Sequence, residues 1–493
     1  VTPTNKNEYT GYFKDKNLIF ILAEGFNSIA VDKELTPTLY KLTNSGFVFN
    51  NFYSPVFLST TGGEFQSTTG LIPSQQILNL WKSNSPDFRY ALGNSFSKQG
   101  YTANAFHNWT YNYYSRQITM KTLGYDSYMG IGNGLEKLMN REWLPRDVDM
   151  MNVTTDYYTK EDKFVTYYIT VSGHAPYNFG GGNSTALRYK ALVEDLPYTT
   201  AVKAYLAAQI ELDRALETLI NRLDKAGVLE DTVLAVVGDH YPYTLSMKDI
   251  NSISTYERDE IVEVNRSNFI IWNSEMEETI EVDKVGSQID VLPTLLNLFD
   301  IEYDSRLIIG QDILSNNDGI SIFSDRSWVT DLGTYFAADE KFVAKENVYV
   351  EAPTYCDGVL YFIVADFAEK LIQVVAFNTE DFVQKTVFEL PLDEVPSCYN
   401  LRIDVEPAML LCESENNVME VLWPEKKKFK MNDREILNFR DGDKVYCSQW
   451  FEDEEPDYNY YEQVVVRDWE TGEEVERFDG RMHRMPNGDI WRM

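Results

Sequence analysis

Thr232-Val233-Leu234-Ala235-Val236-Val237-Gly238-Asp239-His240 decides the fold class of this chain. A continuous apolar run suits a strand buried on both faces, as in parallel sheets covered by helices. Two similar runs are Asn17-Leu18-Ile19-Phe20-Ile21-Leu22-Ala23, ending on Glu24, and Phe164-Val165-Thr166-Tyr167-Tyr168-Ile169-Thr170-Val171, shortly before His174. Thr102-Ala103-Asn104-Ala105-Phe106 leads into His107 in the same way. The chain has four histidines, and three of them follow such runs. Ligands of open α/β sheets bind outside the carboxyl ends of the strands, so these residues predict one convergent site.

Helical patterns alternate with the runs from residue 1 to about 350, which predicts an α/β domain with a mainly parallel sheet. Thr36 is a candidate N-cap for a helix opening on Pro37. The longest helix is expected over 199–227, with Tyr205, Leu206, Ile210, Leu212, Leu216, Leu219, Ile220 and Leu223 recurring every three or four residues. A strand over Asn268–Trp272 and a helix from about Ile289 to Phe299 follow. Past residue 350 the texture changes to short β-rich runs, such as Val359–Val364 and Ile372–Phe377, broken by Asn, Asp and Gly. Residues 351–493 hold 32 acids against 15 bases, a net of −17, and are expected to form an acidic all-β domain of propeller-like meanders, too short for a closed propeller. No catalytic constellation is visible there, and His483 is expected at the surface.

The whole chain of 493 residues carries a net charge of −33 and is 44% hydrophobic. Such a charge repels nucleic acid and anionic headgroups, so an anionic substrate needs local positive charge from a metal, Arg or His. There is no apolar run of the ~18 residues that crosses a membrane. Val1 in place of Met suggests a trimmed fragment. Cys356, Cys398, Cys412 and Cys447 contain no C-x-x-C spacing, which speaks against a zinc site; buried thiols are expected, or disulfides if the protein is exported.

Asp239-His240 can turn a carboxylate and an imidazole toward one metal at the sheet edge, where mixed oxygen and nitrogen ligation suits Mn²⁺ or Zn²⁺ better than Ca²⁺. Glu24 is an equivalent strand-end acid; a helix-start acid is its plainer reading. Ser59-Thr60-Thr61-Gly62-Gly63-Glu64-Phe65 places hydroxyls at a helix start, where phosphate is favoured and a metal could activate a Thr. Ordinary Ser/Thr capping explains the same residues. His107 and Arg116 bracket Trp109, Tyr111, Tyr113 and Tyr114; Arg can fork onto phosphate oxygens and His can give a proton. His174 lies in the turn Ser172-Gly173-His174-Ala175-Pro176-Tyr177.

With these motifs, and with Gln288–Leu296 and Gly310–Leu314, residues 15–345 resemble the extracellular catalytic domain of lipoteichoic acid synthases, in the sulfatase/alkaline phosphatase superfamily. The resemblance implies a sulfatase-like fold and one divalent metal, Mn²⁺ first with Mg²⁺ or Zn²⁺ as alternatives, held by Glu24, Thr60, Asp239 and His240. It implies Thr60 as nucleophile, with adjacent Thr61 ranked second, and His107, Arg116 and His174 as glycerol-phosphate-binding residues. Tyr114 stands where the family usually has Trp, and Gly62-Gly63 replaces a more polar pair, which is expected to loosen that loop.

The implied reaction is phosphoryl transfer from phosphatidylglycerol through a phospho-threonine diester, with His174 or His107 protonating the leaving group. The implied partners are a membrane phospholipid and a glycerol-phosphate acceptor, at the extracytoplasmic face of a bacterial membrane, with the anchor preceding Val1. A true sulfatase needs a C/S-x-P-x-R motif, which Ser54-Pro55-Val56 does not supply. A phosphoethanolamine transferase and an inactive binding module remain as rivals.

Overall fold

The computed structural model describes residues 6–83, 88–139, 146–180, 184–276, 278–345 and most of 348–492; the short segments 351–353, 357, 368, 380–382, 398–399, 405–407, 415, 453–459 and 485–489 lie outside the description. The chain divides into two compact units, Val1–Val343 and Ala344–Met493.

The first unit is built on β1 (Asn17–Ala23), β2 (Phe47–Phe49), β3 (Phe52–Tyr53), β4 (Thr102–Thr110), β5 (Ser127–Ile131), β6 (Phe164–Ile169), β7 (Thr232–Gly238), β8 (Phe269–Trp272) and β9 (Ile280–Val282). All but β3 form one sheet in the order β5-β4-β6-β1-β7-β8-β2-β9. The five strands from β5 to β7 are parallel to one another, while β8 runs antiparallel to both β7 and β2. The continuous apolar runs are the central strands because helices cover both of their faces. Leu18, Phe20 and Leu22 of β1 join a core with Phe65, Leu92, Phe96, Val291 and Leu295. Ile19, Ile21 and Ala23 face the other way, onto Leu39, Leu42, Met150, Leu212, Leu216, Leu219 and Leu223. Alternation within β1 is therefore a division between two cores rather than between core and water.

The long amphipathic helix runs over Thr200–Ala226, capped by the Thr199 hydroxyl and stopped by Gly227 at a φ of 72°. Thr36 does stand before the Pro37–Thr43 helix, but its hydroxyl makes no bond to that helix. It accepts from Asp32 N at 2.8 Å and donates to Ala30 O at 2.9 Å, so it fastens the preceding loop instead.

Gln288–Asp290 and Val291–Leu298 form a short 3-10 turn running into a helix. Asp290 closes a capping box with Ser287 and also accepts from Gln311 N at 2.7 Å. Burial pushes its carboxyl up to about 7, and burial likewise raises Asp312 to about 6. An unfolded Asp titrates near ~3.9, so the folded state holds the proton more tightly. The stabilisation is present below that pH and is lost as pH rises through about 7. The melting temperature should therefore fall between pH 5 and pH 8, with Asp290 contributing on the order of 3 kcal/mol. Calorimetry of Asp290→Asn should give a flatter slope; an equal slope would remove Asp290 as its source.

In the second unit, consecutive strands pair antiparallel into meanders. One contains Val359–Asp366, Leu371–Asn378 and Gln384–Pro391; the next runs from Asn400–Asp404 to Lys427–Lys430, and the third from Glu435–Asp441 to Glu474–Asp479. The middle sheet uses both faces: Leu410 and Cys412 pack with Val374 and Leu390, whereas Met409 and Leu411 pack with Leu437, Val445 and Trp469. The meanders thus stack face to face. Cys412 and Cys447 are buried and, with Cys356, form no disulfide; Cys398 and the side chain of His483 lie outside the described residues.

Candidate active site

Sheet register lines up the strand ends. Ala23 pairs with Gly238, Leu22 with Ile169, and His107 with Ile169, which brings Glu24, Asp239, Thr170 and His107 to one carboxyl edge. His107 does not follow its strand as expected but lies within it, because β4 continues past an irregularity to Thr110 opposite Ile131.

Ligand atoms of Glu24, Asp239 and His240 all lie within 4.8 Å of one another, and all three residues are buried. His240 Nδ1 donates to Tyr241 O at 2.9 Å, which fixes the tautomer and leaves Nε2 as the acceptor. Around Nε2 stand Asp239 Oδ2 at 3.2 Å, Glu24 Oε1 at 3.6 Å and Thr60 Oγ1 at 3.2 Å. Asp239 Oδ1 accepts from Gly25 N and His240 N, whereas the buried Oδ2 has no hydrogen-bond partner. Burial, with the Asp239 charge beside it, pushes the Glu24 carboxyl well above its ordinary range. Two buried carboxylates, a bare imidazole nitrogen and a hydroxyl leave negative charge uncompensated. A divalent cation supplies what this donor set lacks, so the residues fit one.

Thr60 comes from the Ser59–Thr69 helix, nearly all of which is buried. Neither Ser59 nor Thr60 caps it: the cap position is Leu58, at a φ of 60°, and Ser59 follows at 59°. Side chains rarely take this conformation, and holding two of them in it costs ~1–3 kcal/mol each. The first-turn amides carry no side-chain cap and point their positive partial charge toward an incoming anion. Gly62 and Gly63 do not form a loosened loop. They lie inside the helix, where a Cβ on Gly63 would stand 2.1 Å from Asp239 O and one on Gly62 would stand 1.4 Å from Phe57 O. Gln288 Nε2 donates to Gly238 O and Asp239 O, and its own Oε1 accepts from Gln66 Nε2 of the helix. The Ser59–Thr69 helix and the end of β7 are thus in close contact at Gly63 and joined through the side chains of Gln66 and Gln288.

Arg116 is 1% exposed and forks onto Glu64, Nε to Oε1 at 3.3 Å and Nη2 to Oε2 at 3.0 Å. Its Nη1 lies 3.0 Å from His107 Nε2. A guanidinium only donates, so Nε2 accepts and the ring proton sits on Nδ1, facing Ile169 O at 3.3 Å. Burial and the neighbouring guanidinium drive the His107 pKa well below its ordinary value. Both nitrogens of the neutral His107 ring are thus engaged within the protein, by Ile169 O and by Arg116 Nη1, which favours His174 of the two residues expected as proton donor.

A cavity of about 240 Å³ opens over these groups, lined by Glu24, Thr60, His107, Tyr114, Arg116 and His174 among others. His174 is exposed on its turn at the wall, with Nδ1 against Ala175 O. Tyr114, at a φ of 54°, packs on Tyr113 at 4.3 Å between centroids, with Arg116 5.4 Å from its ring. Of the residues predicted for the site, Glu24, Thr60, His107, Tyr114, Arg116 and His174 line this cavity, and Asp239 and His240 cluster with Glu24. Thr61 is buried in the same helix but does not line the cavity.

Sequence reasoning missed several residues. Thr170, whose hydroxyl accepts from Glu24 N at 3.0 Å, ends a recognised run and could have been found. Asp147 holds Val171 N, Ser172 N and Asn108 Nδ2, and so fastens the His174 turn to β4; nothing marked it in the sequence. Thr185 reaches the cavity from a separate short helix and is equally unmarked.

The Sulfatase family matches residues 16–301. A lipoteichoic acid synthase of Staphylococcus saprophyticus is 28% identical over 350 residues, covering 67% of this chain and 52% of its own length. Lipoteichoic acid synthase 2 of Bacillus subtilis is 24% identical over 341 residues, 63% of this chain and 48% of its own length. The chain thus spans about half the length of these curated relatives. The crystal structure of the lipoteichoic acid synthase LtaP from Listeria monocytogenes superposes with a TM-score of 0.56 at 21% identity, over 78% of this chain and 90% of that one. At that identity the likeness speaks for the fold, and the expected architecture, a helix-covered, mainly parallel sheet followed by an all-β region, is present. Matched over well over half its length, with the fold to go with it, the chain belongs to the sulfatase family.

Proposed function

We propose that the first unit is a metal-dependent phosphoglycerol transferase that takes the glycerol-phosphate headgroup from phosphatidylglycerol and builds a glycerol-phosphate polymer of the lipoteichoic acid type. The observation that carries the reading is the Thr60 hydroxyl, 3.2 Å from His240 Nε2 at the point where two buried carboxylates converge and the Arg116 cavity opens. Glu24, Thr60, Asp239 and His240 would hold the metal, with Mn²⁺ as first choice. When bound, it lowers the pKa of a coordinated hydroxyl and offsets charge on phosphate oxygens.

The chain's own residues do the rest. Arg116 and the uncapped helix start hold the phosphodiester oxygens. Tyr114 and Tyr113 wall the glycerol side. Thr60 gives its hydroxyl proton to water, and its Oγ forms a bond to phosphorus as the bond to the diacylglycerol oxygen breaks, leaving glycerol phosphate on Thr60 as a diester. With His107 committed to Arg116, His174 is the proton donor to the departing diacylglycerol. An acceptor hydroxyl then attacks phosphorus as the Thr60 Oγ–P bond breaks; the acceptor's proton passes to His174, which restores the donor, and Thr60 Oγ takes a proton back from water. Such a donor requires the site to work at a membrane surface, and the proposed one is the outer face of a bacterial membrane. No helix among the described residues is long and apolar enough to cross one.

Incubation with Mn²⁺ and vesicles of fluorescent phosphatidylglycerol should release diacylglycerol. Release from phosphatidylethanolamine in its place would transfer the reading to a phosphoethanolamine transferase. Release from neither would leave a binding module.

A further inference from the structure

We infer that Glu64 is a positioning residue: it sets the distance between the Thr60 hydroxyl and the Arg116 guanidinium and keeps His107 a hydrogen-bond acceptor. The inference rests on the phosphodiester reading of the cavity given above. Glu64 is 1% exposed and lies four residues after Thr60 in the same helix, so the two side chains stand one above the other on one face. Both of its oxygens are used, by Arg116 Nε and Nη2 and by the Tyr167 hydroxyl at 3.3 Å. Tyr167 belongs to β6, and His107 Nδ1 meets Ile169 O at the end of the same strand. One continuous set of bonds therefore runs from the nucleophile's helix through Glu64, Arg116 and His107 to the sheet edge.

The arrangement has a chemical result. Of the five N–H bonds of a guanidinium, two go to Glu64 and one to His107, leaving one on each terminal nitrogen for a ligand oxygen. Burial alone opposes the Arg116 charge, but Glu64 beside it holds the pKa above its ordinary value. An arriving phosphodiester meets a guanidinium that is charged, fixed in plane and already partly neutralised. Such a group orients an anion without binding it so tightly that the product stays. A fork-on-fork pair also fixes direction, which a Lys or a lone Arg does not.

The test is calorimetric titration of glycerol phosphate into the full chain loaded with Mn²⁺, together with the Mn²⁺ titration itself. Glu64→Gln should weaken glycerol-phosphate binding by ~tenfold and leave Mn²⁺ binding unchanged, because none of the metal-holding side chains touches Glu64. Arg116→Gln should weaken it by at least as much, and the double variant no further, since Glu64 acts through Arg116. Glycerol-phosphate binding equal to wild type in Glu64→Gln, or effects that add in the double variant, would overturn the positioning role. The single variants strand a buried charge and can fail to fold. Glu64→Asp keeps the charge while drawing the guanidinium toward the helix, and it should still fold, with a melting temperature lowered by only a few degrees, and bind ~fivefold more weakly. Unchanged binding there would also overturn the inference. If the wild-type chain takes up Mn²⁺ but no glycerol phosphate, the phosphodiester reading itself falls, and this inference with it.

Discussion

Thr60→Ala is expected to lower diacylglycerol release by roughly four orders of magnitude or more, the scale of losses seen when a covalent nucleophile is removed. The chain should still fold. The substitution deletes one hydroxyl whose described partner is His240 Nε2 at 3.2 Å, a bond of net worth ~1 kcal/mol. Glu24, Asp239 and His240 remain, so Mn²⁺ should still bind, though more weakly. Intact-protein mass spectrometry of the wild type quenched during turnover should find a glycerol-phosphate adduct that the variant lacks. Thr60→Ser, which keeps the oxygen, should recover much of the rate. Full turnover by Thr60→Ala would move the nucleophile elsewhere, with the adjacent Thr61 the first to examine.

Gly63→Ala is expected to be nearly as damaging for a different reason. The added carbon would lie 2.1 Å from Asp239 O and 2.9 Å from Asp239 C. These are backbone atoms and cannot rotate aside, and Gln288 holds the same carbonyl from another side at 2.9 Å. The helix must therefore retreat from the strand, at a cost of ~1–3 kcal/mol or more. Thr60 retreats with it. A displacement of ~1 Å at a reacting group is enough to lose ~100-fold in rate. Melting temperature, turnover and Mn²⁺ affinity should all fall together in this variant, whereas Thr60→Ala should spare the first. Turnover close to wild type would mean that the contact between helix and strand end does not set the geometry of the site.

Much of the first unit was legible because the decisive strands are buried on both faces, and a strand in that position reads as a nearly continuous apolar run. β1, β6 and β7 announce themselves for this reason, and their ends locate Glu24, Asp239 and His240. The edge strands β2 and β9, three residues each, have no such signature. Glu64 and Arg116 were each visible, but not as partners: a pair 52 residues apart leaves no trace in spacing. Gly63 was misread for a related reason. Glycine in sequence reads as permissiveness, while here its missing side chain makes room for another backbone. In the second unit, strand-forming runs and turns were readable, but which meander faces which depends on the parity of buried positions such as Met409 and Leu410.

The parallel register of the central sheet also has a consequence for how the protein is made. β1 is made before both of its neighbours, the strands beginning at Phe164 and Thr232. Glu24 therefore waits for more than 200 further residues to be synthesised before Asp239 and His240 join it. Contacts of such long range form late and slowly. The cluster of Glu24, Asp239 and His240 is completed only when β7 docks, so a divalent cation held there, as proposed, would give a signal by which that step of refolding can be timed.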